Sequence, residues 1–204
     1  HIPIMNKKKL SIIKKISLKQ FKDNRGSLTR VFCFRELNKL DIKFNIKQIN
    51  QVNIKKKGTI KGMHFQIKPF EEDKIVKLVS GKILDIVVDV RKNSKNFLKH
   101  KTFVLSSKEN KILFIPKGFA HGFQTLTNDC EIIYMHSQYY KPTHEKSINP
   151  LDPKISINWP LKISLISNKD KLEAASVNCS NFIAENKGAT NEIMNKLKDV
   201  IYVE

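Results

Sequence analysis

The middle of the chain, from Val31 to about Ser137, carries short apolar runs rich in Val, Ile and Phe, with turn residues between them. Short strands at this spacing are typical of a β-sandwich or barrel. The runs Ile75 to Val79 and Ile83 to Val90 flank a short link with Gly81 at its centre. This arrangement predicts a β-hairpin.

One of these predicted strands has a carboxylate among apolar residues. Alternation along Ile83 to Val90 puts Asp85 on the same face as Ile83 and Val87. If this face lines a barrel, Asp85 needs a partner, because an unpaired buried charge is costly.

Two more strands are predicted at Lys111 to Ile115 and Cys130 to Ser137, on either side of a loop at Pro116 to Gly122. The ends of the chain differ from this middle. The basic residues 5–20 are expected to add an edge strand. Residues 174–204 form a C-terminal extension with a helical pattern at Ile193, Leu197 and Ile201.

Length and composition indicate a single domain. With 204 residues and 40% hydrophobic content, the chain is long enough for one substantial core. We assign this domain to residues 5–173. Residues 1–4 precede Met5 and are interpreted as a remnant of an expression vector.

The chain has 38 Lys and Arg against 19 Asp and Glu, a formal charge of +19. The Lys residues are scattered through every segment beside many Ile and Asn, which indicates biased amino-acid usage. We therefore expect no nucleic-acid partner, although the charge is compatible with a ligand that carries a diphosphate.

No apolar stretch long enough to cross a membrane is free of charge, and the Lys-rich start lacks the features of a signal peptide. The sequence therefore predicts a soluble, cytoplasmic protein without a membrane partner. Cys33, Cys130 and Cys179 are widely separated and form no CxxC pattern, which favours reduced thiols.

Two histidines lie in short Gly-bounded segments, His64 in 61–66 and His121 in 116–122. Each would more often be structural than catalytic if taken alone. The second segment matches PxGxxH, half of the cupin pattern. A metal-binding cupin also supplies an HxH pair, because a divalent metal needs three or four converging ligands. Phe65 and Gln66 follow His64 instead, so no metal site is expected.

These histidines belong to an ordered set of segments: Asp23 to Gly26, Gly58 to Gln66, Lys74 to Gly81, Asp85 to Arg91, Ile115 to Phe123, Tyr134, Tyr139-Tyr140 and Asp152 to Pro160. Through this set, over about residues 16–173, the chain resembles the dTDP-4-dehydrorhamnose 3,5-epimerase family. The resemblance implies an all-β fold, a cupin-type jelly-roll barrel with short peripheral helices.

The resemblance also implies an enzyme that inverts C3, C5 or both in a nucleotide-linked 4-keto-6-deoxy sugar. Protons beside the ketone are acidic because the carbanion delocalises as an enolate. The reaction needs a base, a proton donor on the opposite face and a positive group near the oxygen. The family pattern assigns these roles to His64, Tyr134 and Lys74, with Asp170 orienting His64. No metal or organic cofactor is required.

Further residues are implied as substrate contacts. His121 and Asp85 would form a polar pair beside the sugar, which gives Asp85 its partner. The others are Arg25, Gln48, Asn50, Lys61, Tyr140 and Lys169. The Gln-x-Asn pattern repeats at Gln51 and Asn53, so the assignment of that pair has an alternative.

Two segments depart from the family pattern. Lys61 stands where the family usually has Arg, which keeps the charge but loses bidentate contacts. Ser27 to Arg30 stand where the family has an aromatic residue followed by Glu. These departures affect the expected nucleotide and sugar more than the reaction type.

Two other functions fit part of the sequence. A related cupin isomerase would move the ketone between C4 and C3, but lacks this Lys74 and Tyr134 context. A polyanion-binding cupin would use the positive charge, but this function would not explain the ordered catalytic set.

We expect as partners a nucleoside-diphosphate sugar, with dTDP favoured, and a second copy of the chain. In this homodimer, strands of each subunit would complete the other's sheet and nucleotide pocket.

Overall fold

The computed structural model describes residues 12–166. Over this range the chain is almost entirely β, with one short helix, α1 (Phe34–Asn38), and a 3₁₀ turn at Pro142–His144. The strands are β1 (Lys14–Ser17), β2 (Gln20–Asp23), β3 (Gly26–Thr29), β4 (Gln48–Ile54), β5 (Thr59–Gln66), β6 (Lys74–Ser80), β7 (Lys82–Asp89), β8 (His100–Ser106), β9 (Lys111–Ile115), β10 (Phe119–Thr125), β11 (Cys130–His136), β12 (Glu145–Ser147) and β13 (Leu165–Ile166).

Two sheets face each other and make up most of the fold. The first sheet has the order β1-β9-β6-β11-β4, and the second has the order β12-β5-β10-β7-β8, with β13 beside β5. All pairings are antiparallel except that of β13 with β5. Strands β2 and β3 form a separate hairpin. The expected all-β fold is confirmed.

Apolar side chains from the inner faces of both sheets form the main core. Ile83 and Val87 of β7 belong to this core, whereas Ile86 and Val88 lie on the outer face of the same strand. The predicted alternation is therefore confirmed. It puts Asp85 on the inner face, where the residue is fully buried.

The predicted hairpin around Gly81 is wrong. β6 lies in the first sheet between β9 and β11, and β7 lies in the second between β10 and β8. Each strand already has two neighbours, so neither has a free edge for the other. Gly81 carries the chain from one sheet to the other with φ +84, and an added Cβ would lie 2.6 Å from the Cys130 Sγ atom.

The predicted loop at residues 116–122 is also wrong in its second half. β10 begins at Phe119 and includes His121. Phe119 and Phe123 alternate into the core, which holds this segment in a strand despite its glycines. The histidine is therefore fixed on a sheet between two neighbouring strands.

The ends of the described region agree with the sequence where they can be compared. β1 pairs with β9 at the edge of the first sheet, as expected for residues 5–20. The helix predicted in 174–204 and the domain boundary at 173 lie outside the described residues.

Cys33 and Cys130 are free thiols. No helix in residues 12–166 is long and apolar enough to cross a membrane.

Candidate active site

A pocket of about 420 Å³ opens between the two sheets, within the size range of small-molecule sites. Its wall contains most of the residues that the sequence singled out. They are Gln48, Asn50, Lys61, His64, Lys74, His121, Tyr134 and Tyr140.

The second sheet supplies two neighbouring histidines to this pocket. His64 on β5 is the register partner of His121 on β10. The two strands approach closely at Gly62 and Gly122, since a Cβ on Gly62 would lie 2.5 Å from the Gly122 Cα atom. Glycine at these positions therefore allows the two imidazoles to share one wall.

His121 is paired with the buried strand carboxylate. Its Nε2 atom lies 2.8 Å from Oδ2 of Asp85, and both side chains are buried. Burial raises the pKa of the Asp85 carboxyl, an effect that the charge and hydrogen bond of His121 oppose. The expected pairing is confirmed. His121 reaches the pocket wall, whereas Asp85 lies behind it.

The first sheet supplies the opposite wall. Lys74 begins β6, and Tyr134 lies on β11 with 8% of its surface exposed. The Tyr134 ring meets the His121 ring edge-on, with centroids 5.8 Å apart. Burial, with a smaller effect from the Asp85 charge, raises the pKa of Tyr134 well above its ordinary value. Tyr134 is therefore protonated at neutral pH and can donate a proton.

Strand β4 decides between the two Gln-x-Asn patterns. Gln48 and Asn50 line the pocket, and the Gln48 Nε2 atom donates to Asn50 Oδ1 at 3.0 Å. Gln51 points to the other face of the strand and donates to Glu131. Because side chains alternate along a strand, the pattern at 51 and 53 faces away from the pocket.

Sequence reasoning missed three titratable residues of the pocket wall, Glu72, His136 and Glu145. His136 follows Tyr134 by two positions on β11, so strand alternation was the signal that could have found it. Glu72 lies in a loop and Glu145 begins a short strand. No periodic pattern marks either residue.

Glu145 places a carboxylate beside the expected base. Its Oε1 atom lies 3.5 Å from Nδ1 of His64, and its Oε2 atom accepts a hydrogen bond of 2.9 Å from the Tyr140 hydroxyl. The Tyr140 backbone N–H donates to Gln48 Oε1 at 3.1 Å. Asp170 and Lys169, which the sequence also assigned to the site, lie outside the described residues.

The structure does not bring Arg25 to the pocket of its own chain. Arg25 lies at the tip of the β2–β3 hairpin, where its side chain is 86% exposed and pairs with Asp23 at 2.7 Å. Lys61 does line the pocket, and its side chain is exposed. Of the expected cationic contacts that fall within the described residues, the pocket mouth therefore carries Lys61 but not Arg25.

Within residues 12–166, no three His, Cys, Asp or Glu side chains come together in a way that could hold a metal ion. The reaction without a metal or organic cofactor stays a prediction. Among the residues singled out by the sequence, the His64 and His121 imidazoles lie on the wall formed by the second sheet, and the Tyr134 phenol and the Lys74 side chain lie on the wall formed by the first.

Comparison with known proteins places this geometry in a family. The sequence profile described as dTDP-4-dehydrorhamnose 3,5-epimerase matches residues 7–176. The chain belongs to the dTDP-4-dehydrorhamnose 3,5-epimerase family. The expected family is confirmed, and so is the expected enzyme class, since epimerases are isomerases.

Two relatives and one solved structure illustrate the likeness to known 3,5-epimerases. The Sinorhizobium fredii dTDP-4-dehydrorhamnose 3,5-epimerase is 35% identical over 159 residues, 78% of this chain and 82% of the relative. The Shigella flexneri protein of the same name is 39% identical over 114 residues, 56% of this chain and 63% of the relative, which is less than two thirds of its length.

The solved structure is the Legionella pneumophila dTDP-6-deoxy-D-glucose-3,5-epimerase in complex with dTDP-4-keto-L-rhamnose. It is 33% identical, has a TM-score of 0.74, and the match covers 78% of this chain and 85% of that one. The likeness confirms the jelly-roll fold expected for this family member.

Proposed function

We propose that this chain is an epimerase that inverts C3, C5 or both in a nucleoside-diphosphate-linked 4-keto-6-deoxy sugar. The observation that carries the proposal is the division of groups between the two walls. His64 projects from the second sheet, and Tyr134 and Lys74 project from the first. A planar enolate held between these walls has a base on one face and a proton donor on the other.

In the first step, neutral His64 takes a proton from the carbon beside the ketone. The electron pair of the C–H bond delocalises onto the ketone oxygen, and an enolate and an imidazolium form. Lys74 supplies positive charge to the enolate oxygen, which stabilises this state in a site shielded from water. The Glu145 carboxylate lies 3.5 Å from Nδ1 of His64, on the side of the ring away from the abstracted proton. Asp170, which the sequence assigned to orient His64, lies outside the described residues and keeps that role in the proposal.

In the second step, Tyr134 returns a proton to the opposite face. The new C–H bond restores the ketone with inverted configuration, and Tyr134 becomes a phenolate. Proton exchange with solvent then returns Tyr134 and His64 to their starting states. The raised pKa of Tyr134 keeps the phenol protonated at neutral pH and makes it a weak acid, so it gives its proton only to a strongly basic atom such as the enolate carbon.

The substrate class is inferred from the pocket mouth and from the relatives. Lys61, Gln48 and Asn50 offer one cation and two amides to a diphosphate or sugar. The similar Legionella structure is a complex with dTDP-4-keto-L-rhamnose, and this likeness favours dTDP as the nucleotide here. His121, fixed by Asp85, is proposed to contact the sugar.

The proposed activity is tested by solvent exchange. With a dTDP-linked 4-keto-6-deoxy sugar in deuterium oxide, the wild-type protein should place deuterium at C3, C5 or both. His64→Ala should lower this exchange by at least about a hundredfold, because the reaction loses its general base. NMR of the recovered sugar measures both the exchange and the position of the carbonyl.

The matched control is His100→Ala, which changes a histidine on β8 outside this pocket and should exchange at the wild-type rate. Absence of exchange in wild-type protein with dTDP-, UDP-, GDP- and CDP-linked keto sugars would contradict the proposal. Movement of the carbonyl from C4 to C3 would identify the ketoisomerase instead.

We also propose that the chain acts as a homodimer. β4 is an open edge of the first sheet, and Ile49 on this strand is 58% exposed. The β2–β3 hairpin carries two exposed apolar side chains, Phe21 and Leu28, beside Arg25. A partner's hairpin against this edge would cover both apolar surfaces and bring a second cation to the pocket mouth.

A cytoplasmic location without nucleic-acid or membrane partners also stays a prediction.

A further inference from the structure

A chain of hydrogen bonds runs along the pocket wall from Tyr140 to Glu72. The backbone N–H of Tyr140 donates to Gln48 Oε1 at 3.1 Å, and Gln48 Nε2 donates to Asn50 Oδ1 at 3.0 Å. Nδ2 of Asn50 lies 3.4 Å from Nε2 of His136, and Nδ1 of His136 lies 2.8 Å from Oε2 of Glu72. All five residues line the pocket.

The Tyr140 end gives this chain its direction. A backbone N–H can only donate, so the Gln48 amide turns its oxygen toward Tyr140 and its nitrogen toward Asn50. Asn50 accepts with its oxygen and therefore turns its nitrogen toward His136. An amide nitrogen can only donate, so the His136 Nε2 atom that faces it must accept. The ring is therefore neutral with its proton on Nδ1, and this N–H donates to Glu72.

Glu72 completes the chain because a carboxylate can only accept. Burial would raise the pKa of this group, but the hydrogen bond from His136 and the charge of Lys74 oppose this effect, and the pKa lies below its usual range. One oxygen takes the His136 N–H, and the other lies 3.1 Å from Nζ of Lys74. Both oxygens are thus engaged, and only 7% of the side chain is exposed. The two ends of the chain therefore require the same direction.

The direction of the chain decides which amide atoms remain for a ligand. The oxygens of Gln48 and Asn50 both accept within the chain. Among the described residues, each amide nitrogen makes one hydrogen bond and so keeps a second N–H. The two amides thus present donors to the pocket. A reversed Asn50 amide would put its oxygen in the place of this N–H and would repel an anionic oxygen of the ligand.

We propose that Glu72 and His136 are positioning residues that fix the Gln48 and Asn50 amides with their N–H groups toward the diphosphate of the ligand. Phosphate oxygens suit this wall because they accept hydrogen bonds, and Lys61 lines the same pocket. The inference rests on the proposed function. It adds two residues that act through the amides rather than on the ligand.

The tautomer of the His136 ring is the first measurement. Nitrogen-15 NMR of the ligand-free protein at neutral pH should show a neutral ring with its proton on Nδ1, and loss of these signals in His136→Phe assigns them. In Glu72→Gln one side-chain oxygen must serve both Lys74 and His136. The charged ammonium group should take this oxygen. The Gln nitrogen then donates to Nδ1, and the ring proton is expected on Nε2. A doubly protonated wild-type ring, or an unchanged tautomer in Glu72→Gln, would overturn the inference.

Binding of dTDP is the second measurement. This probe carries the diphosphate and lacks the keto sugar, so the enolate contact proposed for Lys74 does not enter the comparison. Calorimetry should give a Kd about tenfold higher for Glu72→Gln than for the wild-type protein, the loss typical of one hydrogen bond to a charged group. Asn50→Ala removes the amide that the chain orients and should raise Kd by a similar factor. Equal or tighter binding by Glu72→Gln would contradict the proposal.

The double variant Glu72→Gln with Asn50→Ala separates this role from a direct effect of the Glu72 charge. If Glu72 acts through Asn50, its replacement should matter little once Asn50 is absent. The Kd of the double variant should then stay within about twofold of that of Asn50→Ala. Independent contributions would instead multiply to about a hundredfold, and this outcome would exclude the proposed coupling.

His136→Phe tests the same chain if Glu72→Gln does not fold. It keeps a ring beside Tyr134, whose centroid lies 6.1 Å from that of His136, but removes both ring nitrogens. It should show the same tenfold rise in the Kd for dTDP, and wild-type binding by a folded His136→Phe would refute the inference. Thermal unfolding checks the fold of each variant.

Two control variants match these changes in type. Glu109→Gln removes a carboxylate that pairs with Lys15 and Lys111 away from the pocket, and His100→Gln removes a histidine on β8. Both should bind dTDP as the wild-type protein does. Neither the NMR nor the binding measurement needs turnover, so they can overturn this inference even in an active enzyme. Absence of solvent exchange by the wild-type protein would count against the epimerase proposal instead.

Discussion

Tyr134 shows how the surroundings of one side chain prepare it for a chemical role. Its ring lies between two histidines, edge-on to His121 and tilted against His136, with centroids 5.8 and 6.1 Å apart. The residue is buried, and its pKa is raised well above the ordinary value. A phenol in this environment donates a proton only to a strong base, and an enolate carbon is one.

Tyr134→Phe should therefore separate the two half-reactions. His64 can still remove the proton and exchange it with solvent, so deuterium should still enter the starting sugar. Inversion should fall by about a hundredfold or more, because the opposite face has lost its proton donor. NMR of the substrate and product configurations checks this expectation. Equal loss of exchange and inversion would indicate that Tyr134 has another role.

The sequence predicted residues of the pocket only where a motif or a resemblance marked them. His64, His121, Lys74 and Tyr134 all line the pocket as expected, although their catalytic roles stay predictions. His136 was missed, although it lies on the same face as Tyr134. Glu72 and Glu145 were missed because a loop and a three-residue strand carry no periodicity from which a facing direction can be derived.

At the scale of elements, the site depends on the close approach of β5 and β10. Gly62 has φ +110 and sits against the Gly122 backbone, where a Cβ atom would come within 2.5 Å of Cα and 2.6 Å of the His121 carbonyl oxygen. Backbone atoms cannot move aside as a flexible side chain can. The spacing of His64 and His121 therefore depends on the absence of a side chain here.

Gly62→Ala should destabilise the protein more than Gly26→Ala does. Both glycines have positive φ, so both variants carry backbone strain, but a Cβ on Gly26 would meet nothing within 4 Å. The difference in the free energy of unfolding, about 1–3 kcal/mol, should equal the cost of overpacking between the strands. Denaturant unfolding of both variants measures it. Equal effects would show that the strands separate easily.

The pairing of the strands also explains why the hairpin predicted around Gly81 is wrong. A Gly-containing link between two apolar strands is a hairpin signal, and nothing in 75–90 distinguishes a hairpin from a crossover between sheets. Which strands become neighbours depends on β9, β10 and β11, which come later in the chain. Local pattern therefore predicted both strands and their alternation, but not their pairing.

At the scale of the whole molecule, the β2–β3 hairpin is exposed in the single chain. Phe21 and Leu28 are 54% and 63% exposed, and Arg25 extends from the turn between the strands. Apolar side chains on a small separate sheet suit a partner surface better than solvent. This arrangement is what the proposed homodimer would use.

Sedimentation should therefore give a dimer, and the double variant Phe21→Ser with Leu28→Ser should shift it toward monomer. The same variant should raise KM, since Arg25 would no longer be delivered to the partner's pocket. Arg25→Ala should raise KM without changing the sedimentation coefficient. The control Val104→Ser changes an exposed apolar residue on β8 and should stay dimeric. A monomeric wild-type protein would contradict the dimer proposal.

The sequence by itself determined the all-β class, the positions of β6, β7, β9 and β11, and the residues that resemble a family motif. These features depend on local alternation and on residue types that chemistry requires. Tertiary structure alone decided which strands pair, which of the two Gln-x-Asn patterns faces the pocket, and that Glu72 lies between Lys74 and His136. These features depend on contacts between residues far apart in the chain, whose distance no local pattern records.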